Sequence, residues 1–277
     1  MADAILLDDR GVVEVAGADA ARFLHSLLTN DILSLRPGEA RFCALLTPQG
    51  KIIGDFLTFA EGAGDKRRFL LDCPRALLGE LRKRLSFYKL RAEVTIADRS
   101  EELASFAYLD AEPPEAVATA RARDPRALAL GWRALAAKGA IAASGDRAAY
   151  DARRIEAGVP EGGVDFAYGD AFPHEANMDL LAGVDFKKGC FVGQEVVARM
   201  QHRGLARKRV APYRAEGVAP APGQAILAGD KELGVTGSAG AGRGLALIRL
   251  DRLEEARAGG LSPSAGGTRL EFVEPTG

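Results

Sequence analysis

Beyond about Leu205 the chain changes character, and this change limits its possible folds more than any other feature. Glycine and proline recur throughout, and the apolar runs between them are short: Lys208–Arg214, Gln224–Leu227, Leu233–Gly237, Leu245–Leu250 and Leu270–Val273. Short strands broken by frequent turns predict a small β-barrel or sandwich. Gly240, Gly242 and Gly244 fall between two of these strands. A dinucleotide-binding loop needs a strand before its glycines and a helix after them, so none is assigned.

The preceding residues carry other patterns. At 277 residues, the chain exceeds one comfortable core, since domains cluster near ~100–150 residues. Residues 1–100 alternate strand and helix signals. Ile5–Leu7 and Val12–Val15 read as strands around the Asp9-Arg10-Gly11 turn. Asp19–Leu28 reads as a helix, and Arg41–Leu46 with Ile52–Phe59 as a hairpin about Pro48-Gln49-Gly50. Phe69–Asp72 is a predicted strand, and Pro74 opens a helix with Leu77, Leu78, Leu81 and Leu85 at helical spacing; Ala92–Ala97 follows as a strand. Residues 101–204 form a second segment. It has strands at Phe106–Leu109 and Leu128–Leu135, and a loop with a weak Ala-rich helix over Pro113–Pro125. Helices are predicted at Asp146–Gly158 and Val192–His202. The expected fold is α+β, with two α+β domains (1–100 and 101–204) and a C-terminal barrel (205–277).

A net charge of −1 supplies no global field for nucleic acid or an anionic membrane. The basic run Arg203, Arg207, Lys208 and Arg209 reads as a solvated strand edge. No apolar stretch reaches the length of a membrane span, and the N-terminal residues lack the pattern of a secretory signal. Cys43, Cys73 and Cys190 are far apart and odd in number. They fit a reducing compartment, with the cytoplasm as the expected location. His25, His174 and His202 have no metal-ligand spacing, and three scattered thiols do not hold a resident iron–sulfur cluster, so no metal site is predicted. Trp132, Phe87, Tyr88 and Phe172 are assigned to packing.

The chemistry concentrates in Phe186-Lys187-Lys188-Gly189-Cys190-Phe191-Val192-Gly193-Gln194-Glu195. Cys190 stands just before a predicted helix start, with Lys187 and Lys188 beside it. Unpaired helix N–H groups and two ammonium groups all favour thiolate. The flanking glycines allow tight turns and close approach. Cys43 and Cys73, in apolar strands, read as buried hydrophobes.

Lys188-Gly189-Cys190-Phe191-Val192-Gly193-Gln194-Glu195 resembles the K-G-C-Y/F-x-G-Q-E signature of the folate-binding YgfZ family, which supports iron–sulfur cluster maturation. Arg154–Pro160, Pro173–Asp179, Leu28–Asp31 and Thr47–Ile52 resemble further blocks of that family. The resemblance implies the three-domain ring of the glycine-cleavage aminomethyltransferase, with tetrahydrofolate in a central channel. It implies that Glu175, in Pro173-His174-Glu175, holds the pterin, with Lys51, Asn30, Gln194 and Glu195 in the cofactor site. A carboxylate suits the two N–H groups of the pterin edge. Paired acids of the transferase reduce here to Asp55 alone, and Lys51 replaces a glycine.

The implied function is a tetrahydrofolate-binding accessory protein. It acts through Cys190 and Lys188, as thiol ligand to a transient shared cluster or as redox partner. Its implied partners are iron–sulfur client or assembly proteins, including radical-SAM enzymes of tRNA modification, and it is expected to be a monomer. The alternatives are a one-carbon (aminomethyl) transferase using Asp55 as acid/base, and a partner-binding protein without folate.

Overall fold

Side chains alternate between the two faces of each strand, and this alternation builds the molecule in layers. The computed structural model describes residues 3–62, 64, 67–204 and 206–273; Leu205, the expected start of the third segment, lies outside them. The first two strands, β1 (Ile5–Leu7) and β2 (Arg10–Ala16), flank the Asp9 turn but enter different sheets. β2 joins β3 (Ala40–Leu46), β4 (Ile52–Glu61), β5 (Arg68–Pro74) and β6 (Thr95–Asp98) in a five-stranded antiparallel sheet of order β3-β4-β5-β2-β6. β1 pairs with β7 (Leu103–Tyr108), in a second sheet of order β1-β7-β9-β8 completed by β8 (Ala118–Arg123) and β9 (Trp132–Ala137).

One face of the first sheet carries Val13, Val15, Cys43, Phe56, Phe69 and Cys73. It packs against helices α1 (Ala20–Leu27) and α2 (Leu78–Lys89). α1 contributes Phe23, Leu24 and Leu27, and α2 contributes Leu78, Leu81 and Leu85, each set at helical spacing. The opposite face, with Phe42, Leu57, Phe59 and Leu70, shares a core with Leu135, Ala120, Phe166 and Met178 from the second half. Asp55 has the parity of Leu57 and Phe59, so it too points between the sheets. By the same rule Asp72 of β5, Ser105 of β7 and Arg133 of β9 meet there. Arg133 donates to Asp72 Oδ2 at 2.7 Å, and Ser105 donates to the same oxygen at 3.0 Å.

Helices α3 (Arg147–Glu156) and α4 (Gln194–Arg203) precede a closed barrel. Its strands are β10 (Lys208–Ala215), β11 (Ala225–Ala228), β12 (Lys231–Gly240), β13 (Arg243–Arg249), β14 (Ser264–Ala265) and β15 (Thr268–Phe272). They run in the order β10-β13-β12-β11-β14-β15. Gly240 and Gly242 sit at the β12–β13 connection and Gly244 in β13, consistent with the rejection of a dinucleotide loop.

Three expectations need correction, and one helix is unexpected. Residues 118–123 form edge strand β8 rather than part of a loop and helix, because Ala120 and Ala122 face inward while Arg121 and Arg123 lie over the Trp132 ring. Leu128–Leu130 is a helical turn before β9, separated from it by Gly131 at φ +65°. Helix α5 (Leu250–Ala258) lies between β13 and β14, its Leu253 and Ala256 in the barrel core. Phe87 is 77% exposed rather than packed. Among the described residues no helix is long and apolar enough to cross a membrane.

Candidate functional site: the Cys190 arch

The Cys190 segment is fixed on both sides and free between. Upstream, residues 183–188 are laced to the end of α1 and the turn after it. Thr29 Oγ1 donates to the Gly183 carbonyl at 2.6 Å, and the Asp185 N–H donates to the Thr29 carbonyl at 2.9 Å. The Lys188 ammonium donates to the carbonyls of His25 and, at 2.9 Å, Leu28. These carbonyls lie at the negative end of α1, where a cation is favoured. Downstream, Phe191 is buried in the inter-sheet core. Gly193, at φ +81°, caps α4 and lies against the Thr47–Gly50 turn, where a Cβ would stand 2.6 Å from the Thr47 oxygen. Between these anchors Gly189 and Cys190 are both exposed.

The three thiols therefore differ in kind. Burial pushes Cys43 and Cys73 up to about 12, which keeps both protonated. Cys190 alone of the three is exposed. Lys188 is a strut rather than a free cation beside the thiol. Burial lowers its affinity for the proton, against the opposing pull of the Asp31 and Asp185 carboxylates, and its ammonium lies 5.0 Å over the Phe191 ring. The helix begins at Gln194, so Cys190 stands outside the first turn of α4.

The other expected site residues make separate contacts, except that Lys51 and Glu175 both meet Phe172. Asn30 is buried and donates to the carbonyls of Phe42 (3.0 Å) and Ala182 (2.7 Å), while its Oδ1 accepts the Asp31 N–H. It ties β3 to the loop leading into the arch. Glu175 is half-buried and accepts the Phe172 N–H at 2.9 Å, closing its own turn. Lys51 lies 3.7 Å over the Phe172 ring and 3.5 Å from Asp170. Gln194 opens α4, and Glu195 is exposed and paired with Arg199 at 2.8 Å. Asp55 is buried and accepts a hydrogen bond from the Tyr168 hydroxyl.

Asp55 lines a cavity of about 30 Å³ between the sheets, walled by Arg10, Arg126, Arg133, Arg147 and Arg154. These guanidinium groups are paired: Arg10 and Arg133 with Asp72, Arg126 with Asp124, Arg147 with Asp9, and Arg154 with Asp165. Burial opposes charge on Asp72 and Asp124, but the arginines prevail and hold both carboxyls below the usual range. The cavity has room for about one water, whereas small-molecule sites occupy ~300–1,000 Å³. Tetrahydrofolate does not fit here as the side chains stand. His25 and Tyr168 complete this architecture together with Thr29 of the Leu28–Asp31 block; only contacts in space reveal His25 and Tyr168, because no spacing in the sequence connects them to Cys190 or Asp55.

The molecule is a three-part fold with an exposed thiol at its surface, and its likeness to known structures is one of fold. It superposes on the glycine cleavage system aminomethyltransferase T from Bartonella henselae with a TM-score of 0.75, covering 99% of this chain and 86% of that one. At 16% identity this is a likeness of fold. Residues 207–276 match the CAF17 C-terminal beta-barrel domain. The mitochondrial iron–sulfur cluster assembly factor IBA57 of Mus musculus is 38% identical over 248 residues, spanning 78% of this chain and 67% of that protein. The Homo sapiens IBA57 is 34% identical, spanning 90% and 78%. The Mycosarcoma maydis homolog is 33% identical, spanning 73% and 55%. The chain belongs to the IBA57 family of iron–sulfur cluster assembly factors. It covers from about half to about three quarters of the length of these relatives. The cytoplasmic expectation is overturned: all three are mitochondrial proteins by name. Separated thiols indicate a reducing environment, which does not single out the cytoplasm.

Proposed function

We propose that this chain acts in iron–sulfur cluster assembly by lending Cys190 as one thiolate ligand to a cluster in transit. The observation that carries the proposal is the arch: a single exposed thiol held between two anchored segments. The cluster is cargo. The Cys190 S–H exchanges for a thiolate already on iron: the new S–Fe bond forms, the old one breaks, and the departing thiolate takes the proton. No electrons change hands. The remaining ligands come from the donor or client protein, since a cluster needs about four and this chain offers one accessible thiol. Lys188 fixes the arch, and Asn30 secures the loop behind it.

The finer assignment is to the YgfZ branch, with folate as ligand and radical-SAM enzymes of tRNA modification among the clients. For folate to enter the cavity beside Asp55, the Tyr168–Asp55 contact and the arginine lattice must first open, and ligand exchange at Cys190 does not require that opening. Titration calorimetry with tetrahydrofolate, repeated on Glu175→Ala, tests that part; unchanged affinity removes Glu175 from the site. For the thiol the test is Cys190→Ser. Maturation of a cluster-dependent client should be lost while folding is kept, and full activity of this variant would overturn the proposal.

A further inference from the structure

The arch is also held by an imidazole outside the motif. His25 Nε2 lies 3.1 Å from the Lys188 carbonyl oxygen. A carbonyl only accepts, so Nε2 carries the hydrogen. Nδ1 faces Asp31 Oδ1 at 3.0 Å and the Ile32 N–H at 3.4 Å. Lys188 returns the contact, its ammonium donating to the carbonyl of His25. Residues 25 and 188 thus clasp each other, side chain to backbone in both directions.

The clasp acts on the residue next in the chain. A peptide group is planar, so holding the Lys188 carbonyl also sets the direction of the Gly189 N–H. Gly189 sits at φ +99° with nothing within 4 Å of where a Cβ would lie. Glycine rotates readily through such conformations, and no neighbouring side chain restrains this one. The His25 hydrogen bond is therefore the last fixed point before the sulfur on the upstream side.

We propose that His25 is a positioning residue for the Cys190 thiol, its Nε2–H aiming the arch at the incoming cluster. The proposal rests on the reading of Cys190 as the cluster ligand. Losing one hydrogen bond of ordinary net strength, about 1 kcal/mol, lowers the ratio of aimed to unaimed conformers about five-fold.

Three variants separate positioning from general structure. In His25→Gln an amide N–H takes the place of Nε2; in His25→Asn it takes the place of Nδ1; His25→Ala keeps neither. A nitroxide attached to Cys190 reports the motion of the arch. Iron–sulfur uptake from a glutathione-ligated [2Fe–2S] complex reports its use, and thermal melting checks folding. The label should become more mobile and uptake fall, by at most about five-fold, in the Asn and Ala variants, with the Gln variant close to wild type. Equal behaviour of Gln and Asn, or no change in Ala, overturns the inference. If the label loosens in the Asn and Ala variants but Cys190→Ser takes up cluster normally, the clasp stands and the ligand reading fails.

Discussion

Gly193→Ala tests whether the arch depends on its downstream anchor. Gly193 sits at φ +81°, and a Cβ there would lie 2.6 Å from the Thr47 oxygen and 3.0 Å from the Gly50 Cα. The left-handed backbone costs an alanine ~1–2 kcal/mol. Forcing a methyl group against backbone, which cannot swing aside as a side chain can, adds ~1–3 kcal/mol. The sum is about 3 kcal/mol. Gly189 provides the internal control: it too is left-handed, at φ +99°, but faces open space. Gly189→Ala should therefore cost only the backbone share, about 1 kcal/mol. Urea unfolding of both variants, followed by circular dichroism, measures the difference. Gly193→Ala should have a midpoint lower than Gly189→Ala by an amount worth about 2 kcal/mol at unchanged slope. Equal costs would show that the arch does not press on the Thr47–Gly50 turn, and the two-anchor description would fail.

Other consequences arise from the buried groups. Iodoacetamide should modify Cys190 in the folded protein and reach Cys43 and Cys73 only on unfolding, as mass spectrometry of the alkylated chain would show. Burial raises both buried thiols to about 12, so the stability linked to them is complete below the unfolded value of ~8.5 and is lost as pH climbs toward 12. Alkaline unfolding should therefore begin above about pH 9. Arg133→Met strips Asp72 of one of its two guanidinium partners, and should cost about 3 kcal/mol in a denaturant titration. Asp72 stabilises above its unfolded value of ~4, and this contribution is lost as pH falls through its depressed folded value. With that depression relieved, the variant should unfold at higher pH on acidification.

How much of this was legible in the chain varied with the range of the interaction. Strand parity and helical spacing are local, and they placed α1, the β3–β4 hairpin, α3, α4 and most barrel strands. Strand β8 escaped because its alternation is alanine against arginine, too weakly apolar to register as a strand without the Trp132 ring beneath the arginines. Helix α5 escaped because only Leu253 and Ala256 of its nine residues are fully buried, with Leu250 packed at the edge of the core. Cys190 stood out by its glycine and lysine neighbours, yet the direction of the Lys188 side chain depends on α1, some 160 residues earlier. Likewise, nothing near Asp55 in sequence announces that Tyr168 occupies its carboxylate.

The choice between a transferase and a thiol-based assembly factor turns on which of the two places remains chemically free. An acid/base residue must reach its substrate through hydrogen-bond geometry. Asp55 is buried, bonded to Tyr168 and enclosed by paired arginines beside a cavity of about 30 Å³. Burial, reinforced by the Asp55 carboxylate, pushes the Tyr168 hydroxyl far above its ordinary range, so the phenol stays protonated and remains a donor to Asp55. Tyr168→Phe removes that donor and should cost about 1–3 kcal/mol, the penalty for an unsatisfied buried acceptor. Because the arch is anchored on α1 and the Thr47–Gly50 turn rather than on Tyr168, neither Tyr168→Phe nor Asp55→Asn should change the rate of iron–sulfur uptake. Cys190→Ser should abolish it. A variant at Asp55 that stopped uptake while Cys190→Ser left it intact would move the chemistry back between the sheets and favour one-carbon transfer.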